Sequence, residues 1–139
     1  MLRVLIPVDG SDNSLRAVKF VIRKAPLYKE PLEIHLLNVQ HSFPGTIQGV
    51  REQAERHHLD EGMKALADAR KALDAGGLKY VYHVSVGEAG EVIAHFVKDK
   101  KIEQVVMGTR GAGSIANMLL GSVANKVLHL ADVPVLLVK

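Results

Sequence analysis

The run Gly108-Thr109-Arg110-Gly111-Ala112-Gly113-Ser114 and, further on, the pair Gly121-Ser122 carry the clearest chemical signal in this chain. They follow the apolar run Val105-Val106-Met107 and lead into a segment with helical spacing. Glycines at a strand-to-helix junction let the backbone come close to a ligand and turn its N–H groups toward an anion. Such a turn is a phosphate cradle, and a nucleotide is the first ligand to consider. The motif is not a P-loop, because no GxxxxGK[ST] occurs. Gly111-Ala112-Gly113-Ser114-Ile115-Ala116 does satisfy GxGxxG/A. That fingerprint belongs after the first strand of a βαβ unit, with an acid after the next strand. Here a single strand follows, and Asp132 precedes it.

The elements that must position this loop can be read from the hydrophobic pattern. Leu2–Val8 is an apolar run ending at Asp9-Gly10-Ser11, as expected of a strand buried on both faces. Ser11 is placed to cap a helix in which Leu15, Val18, Val21, Ile22 and Ala25 recur, and Pro26 closes it. Leu32–Val39 reads as a second strand and His41–Gly49 as a loop. A long helix follows from about Gln48 to Ala75, with Met63, Leu66, Ala69 and Leu73 on one side and Gly76-Gly77 as its stop.

Lys79–Val86 alternates, placing Tyr80, Tyr82, Val84 and Val86 on one face and Lys79, His83 and Ser85 on the other, the pattern of a half-exposed edge strand. Val92, Ile93, Phe96 and Val97 mark a third helix, Ile102–Met107 a fourth strand, Ser122–Leu130 a fourth helix and Val133–Val138 a last strand. Alternation of this kind predicts a single α/β domain over residues 1–139, with an open parallel sheet covered by helices on both faces. In the strand order 3-2-1-4-5, ligands bind beyond the carboxyl ends of strands one and four, where the order reverses. Asp9-Gly10-Ser11 and Gly108–Ser114 both fall there.

The glycine pattern Gly108-x2-Gly111-x9-Gly121-Ser122, with Ile6-Pro7-Val8-Asp9-Gly10-Ser11 at the first strand end and Val133-Pro134-Val135-Leu136-Leu137-Val138 at the last, resembles the ATP-binding branch of the universal stress protein family. The resemblance spans essentially the whole chain. It implies a Rossmann-like fold of the adenine nucleotide alpha hydrolase-like kind. It also implies a cytoplasmic stress-response protein regulated by ATP or another adenine nucleotide. By this resemblance Pro7, Val8 and Asp9 lie against the adenosine, and backbone groups at Val39 meet the adenine edge. Met107, Gly108 and Gly111 line the ribose and phosphates, with Gly113 in the same loop. Gly121, Ser122 and Val123 hold the distal phosphates at the start of the fourth helix. The chemistry agrees, since a helix start offers unpaired N–H groups and positive potential. No lysine lies in the loop, so phosphate charge would be met by amides, by Arg110 and by an ion such as Mg2+. The family further implies a homodimer that pairs Val135–Val138 across a two-fold axis, and leaves room for an unidentified protein partner.

Plainer accounts of the same residues remain. Asp9 could serve as a turn or cap residue, Gly121-Ser122 as a helix cap, and Gly113 as loop flexibility alone. Composition narrows the function classes. The net charge of +3 is scattered and aromatic residues are 4%, which argues against a nucleic-acid surface. No cysteine is present, excluding thiolate chemistry. The start Met1–Pro7 is too short and too soon interrupted for a signal peptide, and no apolar run suits a membrane span. His57 and Glu61 would share a helix face, but nothing resembles HExxH, so no metal site is assigned. His35 and His83 fall in strands, His95 and His129 in helices, and none acquires a catalytic partner. Enzymatic turnover, as a slow ATPase or nucleotide hydrolase, lacks an identifiable base. The other alternative is a dimeric interaction module that binds no nucleotide.

Overall fold

A computed structural model describes residues 1–41, 48–111 and 119–139. The chain runs β1 (Leu2–Pro7), α1 (Asp12–Lys24), a 3-10 turn (Ala25–Leu27), β2 (Leu32–Gln40), α2 (Gln48–Ala75), β3 (Tyr80–Val86), α3 (Ala89–Asp99), β4 (Gln104–Gly108), α4 (Ser122–Leu130) and β5 (Val135–Val138). The strands form one sheet in the order β3-β2-β1-β4-β5, and every pairing is parallel. This is the expected α/β architecture.

Two apolar layers hold it together, and β1 feeds both because successive side chains point to opposite faces. Val4, Ile6 and Val8 join Val18 and Val21 of α1 and Leu66 and Leu73 of α2 on one face. Leu5 points the other way, into a second cluster with Ile93, Phe96 and Val97 of α3 and Val127 of α4. The break in strand order therefore falls between β1 and β4 and opens a crevice at their carboxyl ends.

Local chemistry sets the element ends. The Ser14 N–H donates to Ser11 Oγ at 3.2 Å, capping α1 as expected. The chain leaves α1 through the turn that contains Pro26. Glu88 caps α3, its carboxylate accepting from the Gly90 and Glu91 N–H groups at 3.3 and 2.9 Å. These two bonds, with Lys126 Nζ 3.4 Å away, hold the Glu88 carboxyl below its usual range. Lys126 lies on α4 and also reaches Glu91 at 3.2 Å, so the two helices that flank the crevice are tied at the surface.

Several expectations need correction. The fourth strand is Gln104–Gly108 rather than Ile102–Met107, and the last begins at Val135 rather than Val133. The expected loop His41–Gly49 falls largely outside the described residues, and Gln48 already belongs to α2. The buried side of α1 is Asn13, Ser14, Ala17, Val18 and Val21, turned from the expected stripe through Leu15 and Ile22. Its first turn faces a polar crevice rather than the core, so two polar residues are buried there. On α2, Met63 is only partly buried, and Gly62 takes the place facing the sheet. A Cβ at 62 would stand 2.5 Å from Val84 Cγ1. Finally, β3 does not divide cleanly into a buried and an exposed face. Val81, Tyr82 and Val86 are exposed, because an edge strand is covered only in part. Tyr82 is roofed by the Arg70 guanidinium, 4.2 Å from its ring centroid.

Candidate functional site

The crevice contains a cavity of about 330 Å3, to which several separate stretches of chain contribute. The end of β1 supplies Pro7, Val8 and Asp9, and β2 supplies Val39. From β4 and the loop after it come Met107, Gly108, Arg110 and Gly111, and from the start of α4 come Gly121, Ser122 and Val123. Every site residue named from the sequence thus lines one cavity, except Gly113, which lies outside the described residues.

Asp9 performs two tasks at once. Its Oδ1 accepts from the Ser11 N–H at 2.9 Å and from Ser11 Oγ at 2.5 Å, which is the turn chemistry of the plainer account. Its Oδ2 lies so close under Gly111 that a Cβ there would stand 2.5 Å from it. The loop after β4 therefore closes down onto the carboxylate only because residue 111 has no side chain. Gly108 is different. A Cβ on Gly108 would overlap the Asn13 side-chain amide, so its smallness serves a protein contact as well as the cavity it lines.

The end of β1 is held by β2 through both its N–H and its carbonyl. The Val8 N–H donates to the Leu37 carbonyl at 2.9 Å. Asn38 Nδ2 donates to the Val8 carbonyl at 2.8 Å, and Gln40 Nε2 donates to Asn38 Oδ1 at 2.7 Å. Asn38 is 1% exposed, and both its amide nitrogen and its amide oxygen find a partner in the interior. The opposite end of the cavity is the N-terminus of α4. Gly121 occupies the cap position with no side chain to offer, and its N–H donates to the Thr109 carbonyl at 2.6 Å. The first turn beyond it points its backbone donors and the positive end of the helix dipole toward the crevice. Leu37, Val39, Ile93 and Met107 give the remaining wall an apolar character.

Reading the sequence alone missed Ser14, Asn38, Gln40 and His41, which also line the cavity. A signal existed for two of them. Asn38 interrupts the apolar stretch Leu36–Val39, and Ser14 sits on the buried side of a helix. A buried polar residue in an apolar pattern marks a bond to be satisfied.

The histidines in the strands do acquire partners, away from the cavity. His35 Nδ1 lies 3.2 Å from His83 Nε2, and His35 Nε2 lies 3.1 Å from Glu33 Oε2. Because the carboxylate accepts, His35 donates through Nε2 and receives the His83 Nε2–H at Nδ1 when both rings are neutral. Both rings pack edge-on against Phe96 of α3. Partial burial is the main cause that pushes the His83 pKa down, followed by the neighbouring His35 and Lys100.

Among the described residues no helix is long and apolar enough to cross a membrane. A family model described as the universal stress protein family matches residues 1–139. Universal stress protein MJ0531 of Methanocaldococcus jannaschii is 34% identical over 138 residues, covering 99% of this chain and 81% of the relative. The solved structure of the hypothetical protein MJ0577, from the same organism, superposes with a TM-score of 0.82 at 28% identity, covering 99% of this chain and 95% of that one. A crystal structure of a universal stress protein in complex with cAMP superposes with a TM-score of 0.74 at 25% identity, covering 99% of this chain and 97% of that one.

Proposed function

The chain belongs to the universal stress protein family, and on that premise we propose that the β1/β4 cavity binds an adenine nucleotide, with ATP as its first ligand and stress-response regulation as its purpose. The observation that carries the proposal is convergence. Asp9, the close-lying Gly111 and the start of α4 come from distant parts of the chain and surround one cavity. Its volume of about 330 Å3 lies at the small end of the range for ligand pockets. The residues suit the parts of a nucleotide. The apolar wall of Leu37, Val39, Ile93 and Met107 suits a base, and the Asp9 carboxylate suits ribose hydroxyls as an acceptor. Amides at the start of α4, the Ser122 hydroxyl and Arg110 suit phosphates. The relative crystallised with cAMP supports the adenine class. Binding, with occupancy biasing the loop after β4 and so the choice of partner, is the proposed mode of action. Self-association through β5 belongs to the same proposal, because β5 ends the sheet and presents an unpaired edge in one subunit.

The test is to release and identify small molecules from natively purified protein, and to titrate ATP, AMP and cAMP by calorimetry. A recovered or titrating adenine nucleotide is expected, together with its loss in Gly121→Asp, where a carboxylate would stand at the phosphate end. No nucleotide on release and no binding at millimolar ATP would overturn the proposal.

A further inference from the structure

The first turn of α1 carries Asn13, which is 7% exposed and stands behind the cavity rather than on its lining. Its Oδ1 accepts from the Arg110 N–H at 2.7 Å, and its Nδ2 donates to the Val138 carbonyl at 3.2 Å. The same Val138 carbonyl accepts from the Thr109 N–H at 3.0 Å. One side chain therefore fastens the first residues of the loop after β4 both to the start of α1 and to the end of β5. Backbone N–H groups only donate and carbonyls only accept, so these two partners dictate which way the amide faces. The amide also occupies the space over Gly108 that a Cβ would need.

We propose that Asn13 is the positioning residue of the nucleotide loop. It holds Arg110, and with it Gly111 above Asp9, in the course that leaves the cavity open to a ligand. This inference rests on reading the cavity as a nucleotide site. It also divides the labour at Arg110. The backbone N–H of Arg110 is committed to Asn13, so Arg110 can meet a phosphate only through its side chain. Because Val138 takes part in the same junction, the loop is mechanically continuous with the edge strand β5.

Aspartate is the variant that isolates this role. Ionised, it keeps the acceptor for Arg110 but sets a charge against the Val138 carbonyl. Protonated, it reproduces both bonds of asparagine. Asn13→Asp and Asn13→Ala are compared with wild type by ATP calorimetry at about pH 8 and about pH 5.5, values that bracket a carboxyl whose pKa is raised by burial. At each pH, affinity is expressed relative to wild type. Both variants are expected to bind roughly tenfold more weakly at the higher pH, Asn13→Ala because both hydrogen bonds are lost and Asn13→Asp because one is lost and a carboxylate then faces the Val138 carbonyl. At the lower pH Asn13→Asp should recover most of the loss and Asn13→Ala none. Equal affinity of all three proteins would overturn the proposal, as would an Asn13→Asp deficit that does not change with pH. If Asn13→Ala does not fold, the pH-dependent recovery of Asn13→Asp alone decides the matter. Hydrogen exchange at the Arg110 amide, measured without ligand, separates this inference from the nucleotide reading. Faster exchange in Asn13→Ala supports the positioning role even if wild type binds no ATP, and unchanged exchange refutes it.

Discussion

Replacing Gly108 by alanine tests the junction from its other side, and the structure allows the cost to be worked out. Gly108 ends β4 and is not among the glycines with positive φ, so alanine meets no backbone strain there. On conformational grounds alone the change would stabilise the protein by about 0.4–1 kcal/mol. The added methyl, however, would overlap the Asn13 amide, and the Asn13 backbone carbonyl carbon lies only 3.1 Å away. The cheapest relief is for the amide to swing out. That forfeits two hydrogen bonds at about 1 kcal/mol each and leaves the Arg110 N–H unpaired at a further cost of about 1–3 kcal/mol. The net destabilisation comes to about 2–5 kcal/mol. With an unfolding entropy near 2 cal/mol/K per residue, a chain of 139 residues loses roughly 10 °C in Tm for 3 kcal/mol.

The assay is urea denaturation followed by circular dichroism on wild type, Gly108→Ala, Asn13→Ala and the double variant. In the Asn13→Ala background the clash partner is gone, so most of the cost of Gly108→Ala should vanish. A coupling of about 2 kcal/mol is expected. If Gly108→Ala costs the same in both backgrounds, the assignment of that glycine to the Asn13 contact is wrong.

Other expectations follow from the same structure. Leu66 is fully buried between α2 and the sheet, so Leu66→Ala should cost about 2–5 kcal/mol in chemical denaturation. His83 has its pKa lowered in the folded protein, so below about pH 6.5 the unfolded chain binds the proton more readily and stability should fall as pH falls, until the folded pKa is passed. Above about pH 6.5 this contribution is flat. The titratable groups around it are His35 and Lys100, with His95 and Asp99 lining the same surface pocket, and His83→Gln should reduce the slope in Tm measured from about pH 7 down to about pH 5. Analytical ultracentrifugation at micromolar concentration should give a dimer, and a monomer there would refute self-association through β5.

Much of the candidate site was legible because its residues announce themselves locally. The turn Asp9-Gly10-Ser11 and the glycines at 108, 111 and 121 are short-range signals, and each follows an apolar run or opens a helical one. The partners of Asn13, Asn38 and Gln40 were not legible, because even where a polar residue breaks an apolar stretch, as Asn38 does, nothing in its neighbourhood says what it bonds. Asn13 reaches residue 110 across 97 positions and residue 138 across 125. The hydrophobic pattern points to Met63 on the sheet-facing side of α2, because such a pattern weighs side chains and cannot see the gap at Gly62 into which Val84 fits.

The glycine loop shows where the division falls. Hydrophobic periodicity was enough to mark off the strands and helices and to make the sheet parallel, since each element must bury its own apolar face, and the order 3-2-1-4-5 then puts Gly108–Gly111 opposite Asp9. Why those glycines are glycine was decided by tertiary structure. At 111 it is the Asp9 carboxylate, at 108 the Asn13 amide, and both reasons are close approaches of a side chain to glycine backbone that only the assembled sheet brings about.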